Sequence, residues 1–199
     1  MRRVAIIGAG PAGLMAAEAA LARGARVALY DAMPSPARKF LMAGKSGLNI
    51  THSEDEAIFR SRYTAPDGRL SAMVEAFGPG EIAAWMAGLG VETYVGSSGR
   101  VFPVGMKASP LLRAWLARLG QGGATLHTRH RWKGWDARGA LAFDTPEGET
   151  FVEADATILA LGGASWSRLG SDGAWADILD ARGVEIEPFA PSNCGFVVD

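Results

Sequence analysis

The feature that most constrains this chain is a β-branched apolar run, Val4-Ala-Ile-Ile7, that breaks at once into Gly8-Ala-Gly10-Pro-Ala-Gly13. An Ala-rich amphipathic helix follows, closed by Gly24, and a second short strand, Arg26-Val-Ala-Leu-Tyr30, stops at Asp31. Strand, Gly-x-Gly-x-x-Gly, helix and acid-tipped strand together predict a β-α-β unit whose first turn seats a dinucleotide pyrophosphate. Gly8 allows the tight turn out of the strand, where a Cβ would clash. Gly10 lets the backbone approach the phosphates, and Gly13 lets the helix pack close against the sheet. The free amides and the dipole at the helix start then favour negative charge. Gly8, Gly10, Pro11, Ala12 and Gly13 are therefore the candidate pyrophosphate seat. Asp31 is placed to accept hydrogen bonds from ribose hydroxyls.

Met-Arg-Arg ahead of an Ala-rich apolar stretch faintly resembles a secretory signal. Gly8, Gly10, Pro11 and Gly13 interrupt the would-be apolar core, however, and Glu18 and Arg23 charge the remainder. The segment reads as structural. With 199 residues, 48% of them apolar and 21% charged, the chain is globular and holds one domain, or one and part of another. A net charge of −1 gives no global attraction to nucleic acid or membrane, and no apolar run reaches the roughly 20 residues a spanning helix needs. The single Cys194 excludes an intrachain disulfide and fits a reducing cytoplasm. No metal-ligand spacing is present; His127 and His130, three apart in an apparent strand, are expected on opposite faces.

Residues 32–53 lack a sustained period and read as a loop wrapped over a ligand. Residues 54–90 look helical apart from a break at Tyr63–Gly68, with Ile82, Trp85, Met86 and Leu89 on one buried stripe. Val91–Val95 and Arg100–Val104 flank Gly96-Ser-Ser-Gly99 as a hairpin. Ser109-Pro110 predicts a helix start, with Leu112, Trp115, Leu116 and Leu119 inward. Three strands are then expected at Ala124–Trp132, near Trp135–Phe143, and at Thr150–Glu153. Next comes an apolar run, Ala156–Leu161, that reads as a buried parallel strand ending in Gly162-Gly163. A helix from Ser171 or Asp172, with Trp175, Ile178 and Leu179 inward, is stopped by Gly183. Val184–Pro188 and Phe196–Asp199 read as strand starts.

The predicted fold class is therefore α/β, a Rossmann-like domain with a parallel sheet. Its expected extent is residues 1–183, carrying a helical and hairpin insertion at about 54–104 and a three-stranded β-meander at about 124–153. Residues 184–199 are expected to begin a second domain that is cut short. Three features favour FAD over NAD: the long loop after Asp31, the meander before a Gly-ended strand, and the fingerprint at the extreme N-terminus. A simple NAD dehydrogenase would continue with alternating strand and helix.

Three further motifs carry a family resemblance: Lys39-Phe-Leu-Met-Ala-Gly44-Lys-Ser-Gly-Leu-Asn49-Ile-Thr51, Gly99-Arg-Val-Phe-Pro103 with Lys107-Ala-Ser109, and Leu159-Ala-Leu-Gly162-Gly-Ala-Ser165. Together with the fingerprint they resemble the BaiN/RdsA (YhiN-like) family of bacterial FAD-dependent oxidoreductases. Members of that family run to roughly twice this length, so the likeness is to their N-terminal half. The resemblance implies that Gly8, Gly10, Pro11, Ala12 and Gly13 hold the pyrophosphate and Asp31 the adenosine ribose. It implies that the loop from Lys39 to Thr51, through Gly44 and Asn49, runs beside the diphosphate and flavin. Main chain near Arg131 and Trp132 would meet adenine, and Gly162 and Gly163 would let a strand end approach the cofactor. Many family members carry Arg-Cys where this chain has Gly47-Leu48, so any role those side chains play is lost here.

The reading that follows is a flavin oxidoreductase moving a hydride to or from an unassigned substrate, with NAD(P)H a candidate electron donor. No catalytic residue is singled out. One alternative is an RNA-modifying, uridine-reducing flavoprotein, which the resemblance raises and the basic run His127-Thr-Arg129-His-Arg131-Trp-Lys133 could serve. That run also reads as an edge strand with solvated charges. The other alternative is a nucleotide-binding module without catalysis. No membrane partner is expected.

Overall fold

The structure, a computed structural model, describes residues 1–63 and 68–190. In chain order the elements begin with β1 (Arg3–Ile7), α1 (Pro11–Ala22), β2 (Arg26–Asp31), α2 (Arg38–Ala43) and β3 (Thr51–His52). They continue with α3 (Glu56–Ser61), α4 (Arg69–Ala76), α5 (Pro79–Gly88), β4 (Thr93–Val95), β5 (Arg100–Pro103) and α6 (Ala108–Gln121). The last are β6 (Thr125–Thr128), β7 (Arg131–Trp135), β8 (Leu141–Thr145), β9 (Gly148–Val152), β10 (Ala156–Leu159), a 3-10 turn (Ser167–Leu169) and α7 (Trp175–Asp180). They fall into two compact units, Met1–Arg38 with Gly123–Asp199, and Lys39–Gly122.

In the first unit a four-stranded parallel sheet runs in the order β10-β1-β2-β6. Val4 lies opposite both Ala156 and Val27, and Asp31 opposite Thr128. Alternation sends Ala5, Ile7 and Tyr30 to one face, where they pack with Trp132, Leu141 and Phe143 of an antiparallel β7-β8-β9 meander. Ile6 and Leu29, also buried, point the other way. Helix α1 buries Gly13, Leu14 and Ala17. With β2 and β6 on one side of β1 and β10 on the other, the strand order reverses between β1 and β10. This is the α/β Rossmann-like arrangement the opening motif predicts, and such sheets bind ligands at that reversal, outside the carboxyl ends of the strands.

The second unit has a three-stranded antiparallel sheet, β3-β5-β4, and a core of Leu48, Met86, Ala108 and Leu111. Ile82, Trp85 and Leu89 pack against that core, as their helical spacing predicts, and Trp85 meets Trp115 edge-on at 4.8 Å. The expected hairpin forms as β4 and β5, closed by a Gly99 N–H to Gly96 carbonyl bond of 2.9 Å. Asp55 caps α3 by accepting the amides of Ala57 and Ile58.

Several boundaries differ from expectation. The strand expected over 124–132 is two strands: Thr125–Thr128 joins the parallel sheet, and the meander begins at Arg131 and carries Trp135 in its first strand. The break falls at Arg129, whose φ of 58° turns the chain out of the extended region. The loop 32–53 contains the short helix α2. Helix α6 begins at Ala108, with Lys107 extended before it, so Pro110 sits inside the first turn, where its missing N–H costs nothing. Helix α7 begins at Trp175 rather than Ser171, because the Ser171 hydroxyl is committed to the Gly163 carbonyl at 2.7 Å. Val184–Pro188 finds no neighbouring strand among the described residues and forms no ladder. Cys194 and Phe196–Asp199 lie outside the described residues. Among the described residues no helix is long and apolar enough to cross a membrane.

Candidate dinucleotide site

The carboxyl ends of β1, β2 and β10 meet at the glycine turn. The Gly8 N–H donates to the Tyr30 carbonyl at 2.7 Å, and the Ala160 N–H to the Ile7 carbonyl at 2.8 Å. Gly8 has a φ of 101°, and a Cβ there would collide with the Ala160 carbonyl oxygen. A Cβ on Gly13 would collide with the Gly8 carbonyl. Gly10 is different: a Cβ there would meet nothing within 4 Å among the described residues. Two glycines thus serve close packing, while the third opens onto free space. The first intrahelical bond of α1 runs from the Leu14 N–H to the Gly10 carbonyl, and among the described residues no side chain caps the helix. The amides of Ala12 and Gly13 therefore lie in a first turn that supplies them no carbonyl, at the positive end of the helix dipole.

Asp31 fixes this turn. Its Oδ2 accepts the Ala9 N–H and its Oδ1 accepts the Met33 N–H, both at 2.8 Å. The Ala9 carbonyl in turn accepts the Ala37 N–H at 2.9 Å, and the Asp31 carbonyl accepts the His130 N–H at 2.9 Å. A carboxylate has about four lone-pair positions, so each oxygen keeps one for a further donor such as a ribose hydroxyl. Arg131 directly follows His130 and pairs with Asp172 at 3.1 Å. Burial alone would raise the Asp172 carboxyl, but the Ala174 amide and the Arg131 guanidinium outweigh it and hold the group below its usual range. The indole of Trp132 lies in the core against the sheet, and its Nε1–H is buried without a partner among the described residues. The strand-end glycines are pinned as well. The Gly162 carbonyl accepts Trp175 Nε1–H at 3.0 Å, and the Gly163 carbonyl accepts the Ser171 hydroxyl.

The turn at Arg129 also corrects the expectation for the two histidines. His127 stacks on Tyr30 at 4.8 Å, His130 lies 5.7 Å from the same ring, and the two imidazoles are 5.5 Å apart. Strand alternation would have separated them, but it does not carry across a left-handed residue. Burial pushes the Tyr30 hydroxyl up. Burial, and secondarily His130, pushes the His127 imidazole down. In β7 the basic run alternates exposed Arg131 and Lys133 with buried Trp132.

The remaining candidate residues, Lys39, Gly44, Asn49 and Thr51, belong to the second unit. Lys39 lies in α2. A Cβ on Gly44 would press on Ala108, so this glycine serves packing against α6. With its side-chain nitrogen turned toward the two carbonyls, Asn49 donates to Thr51 at 2.8 Å and to Val101 at 3.3 Å, tying β3 to β5. Thr51 is buried, and its hydroxyl has no partner among the described residues. His52 Nδ1 lies 3.1 Å from the Glu54 N–H, and Nε2 lies 3.0 Å from the Ser98 carbonyl. The ring clamps β3 to the hairpin turn. Motif reading did not single out Ser171 and Trp175 as supports of the strand-end glycines. A hydroxyl and an indole N–H near a Gly-Gly strand end were the available signal.

The free space before Gly10, the uncapped first-turn amides and the anchored Asp31 fit a dinucleotide diphosphate and its sugar. Residues 2–195 match the model of the HI0933-like protein Rossmann domain. A 3-dehydro-bile acid delta(4,6)-reductase of Clostridium scindens is 29% identical over 195 residues, covering 96% of this chain and 46% of that relative. The chain thus spans about half the length of the curated relative it matches. Among solved structures, the THI4 protein of Thermovibrio ammonificans aligns over 92% of this chain and 64% of its own, at 16% identity and a TM-score of 0.58. A 3-ketosteroid-delta4-(5alpha)-dehydrogenase of Rhodococcus jostii aligns over 81% and 46%, at 15% identity and a TM-score of 0.58. These structural likenesses are likenesses of fold.

Proposed function

The chain belongs to the HI0933-like family through its Rossmann domain, in keeping with the motif resemblance, and from this we propose that it is the FAD-binding part of a flavin-dependent oxidoreductase. The observation that carries the reading is the contrast among the three fingerprint glycines. Gly8 and Gly13 are filled by neighbouring backbone, and only the Gly10 position stands open before the first-turn amides. Gly10, Pro11, Ala12 and Gly13 would cradle the diphosphate, with Gly8 shaping the turn. Asp31, held by Ala9 and Met33, would accept the adenosine ribose hydroxyls. Backbone at Arg131 and Trp132 would border adenine, and Gly162 and Gly163 would admit the cofactor at the end of β10. Lys39, Gly44, Asn49 and Thr51 are proposed for the side of the diphosphate and flavin, Gly44 and Asn49 acting through the shape they give that loop. When bound, the isoalloxazine supplies hydride transfer; the protein's part is to hold and orient it and to keep water from it.

The flavin reading is independent of the substrate. The curated relative acts, by its name, on a 3-dehydro-bile acid, and a reducible carbon–carbon bond of an alicyclic enone is the proposed class here. NAD(P)H is the proposed electron donor. The single cysteine in the sequence supports a reducing, cytoplasmic setting. Titration with FAD tests the reading. Saturable uptake with a shifted flavin absorbance that survives desalting is expected, followed by bleaching under anaerobic NAD(P)H. Failure to take up FAD overturns the flavoprotein reading. Uptake without reduction by NADH or NADPH removes the proposed donor.

A further inference from the structure

The second unit contains an open cleft of about 580 Å³ bordered by β3, β5, α3 and α5. That volume falls in the range of small-molecule sites, ~300–1,000 Å³. Its apolar side is built by Ile50, Ile82 and Phe59, with the Phe59 ring 5.1 Å from that of Tyr63. Its polar side holds His52, Glu54, Arg62 and Arg100. Arg62 takes both oxygens of Glu54 in a fork, with Nε donating to Oε1 at 2.7 Å, so those charges cancel. The Glu54 carboxyl lies below its usual range, chiefly through that hydrogen bond. His52 is engaged at both ring nitrogens, with Nδ1 3.1 Å from the Glu54 N–H and 3.7 Å from the Glu54 carboxylate, and Nε2 3.0 Å from the Ser98 carbonyl. Arg100 remains. It lies opposite His52 in the β3-β5 ladder and forms no ion pair among the described residues.

One uncompensated guanidinium beside an apolar, partly aromatic wall is complementary to one kind of molecule. A guanidinium binds carboxylates through two parallel hydrogen bonds, with planar geometry a lysine does not reproduce. The apolar wall gains from covering a ring. We propose that this cleft is a binding site for a small organic carboxylate with an aromatic or alicyclic body, held at its carboxylate by Arg100 and at its ring by Phe59 and Ile82. The site lies wholly within the second unit and does not rest on the flavin reading.

Isothermal titration calorimetry of the whole chain with 2-naphthoate tests it. Saturable one-to-one binding is expected, weakened at least tenfold by Arg100→Met and at least tenfold when uncharged 2-naphthamide replaces the acid. Arg100→Lys, which keeps the charge but loses the fork, is expected to fall between. Circular dichroism of each variant, expected to match the parent, separates lost binding from lost fold. Binding should be unchanged in the presence of saturating FAD. No saturable heat, or equal affinity in Arg100→Met and the parent, overturns the proposal. Displacement of 2-naphthoate by FAD also overturns it, assigning the cleft to the flavin. Binding of 2-naphthoate by a chain that takes up no FAD would uphold this site while removing the flavoprotein reading.

Discussion

Alanine at Gly10 and at Gly13 should have opposite consequences, although both residues belong to one short motif. At Gly13 the new methyl meets the Gly8 carbonyl, a backbone group that cannot swing aside. Overpacking of this kind costs ~1–3 kcal/mol, here toward the upper end, and the gain in helix propensity on replacing glycine returns about 1 kcal/mol. The net loss is about 2 kcal/mol, which for a chain of this size lowers the melting temperature by roughly 4–8 °C. At Gly10 the methyl enters open space, and φ is −78°, acceptable to any residue. Only the weaker N-cap preference of alanine remains, about 0.5 kcal/mol or roughly 1–2 °C. On the proposed reading that same methyl would occupy volume the diphosphate needs. Losing one hydrogen bond to a charged group costs ~1.5–3 kcal/mol, so FAD affinity should fall roughly 10–100-fold. Thermal melts of the ligand-free variants, paired with quenching of flavin fluorescence, read both quantities. If Gly10→Ala melts as low as Gly13→Ala, or binds FAD as the parent does, the division of labour among these glycines is refuted.

Three further outcomes follow from the geometry. Asp31→Ala frees the amides of Ala9 and Met33; both should exchange with solvent deuterium faster, and FAD affinity should drop, whereas unchanged exchange would show that the carboxylate does not hold the turn. Phe143 is fully buried and stacks on Tyr30 at 4.6 Å, so Phe143→Ala should cost ~3–5 kcal/mol in urea denaturation; a loss under 1 kcal/mol would contradict the assigned core. The His127 imidazole is pushed down, chiefly by burial, so on acidification the unfolded chain takes up the proton before the folded one. The contribution to stability is complete above the ordinary histidine value of about 6.5 and is lost as pH falls through it toward the folded value. His127→Gln should flatten the stability profile between about pH 7.5 and about 5.5, and an unaltered slope would sink that assignment.

Local rules governed the opening of the chain, and there the sequence was legible. The first β-α-β unit, with Asp31 at its tip, follows from glycine sterics and a two-residue alternation, neither of which needs distant partners. The Ile82, Trp85, Met86 stripe and the β4-β5 hairpin were readable for the same reason. What escaped was decided by partners far along the chain. A strand written through Arg129 looks continuous, because a left-handed arginine has no mark in the sequence. Tertiary bonds place it, from the Arg129 N–H to the Met33 carbonyl and from the His130 N–H to the Asp31 carbonyl. Ser171 looked like a helix cap because hydroxyls favour caps; the Gly163 carbonyl claimed it instead. In the candidate site, the packing of Gly44 on Ala108 was likewise hidden, because its partner lies 64 residues along the chain.

The bare Cα of Gly13 lets main chain come so near the Gly8 carbonyl that no side chain fits between them. The least spacing of helix and strand is thus set by main chain, and no rotamer enters that limit. Substitutions at Ile6, Leu14 or Leu29 can therefore reshuffle the interior while the loop above keeps its curvature. The fingerprint behaves as a fixed gauge block, and tolerance to drift in the surrounding interior is its consequence.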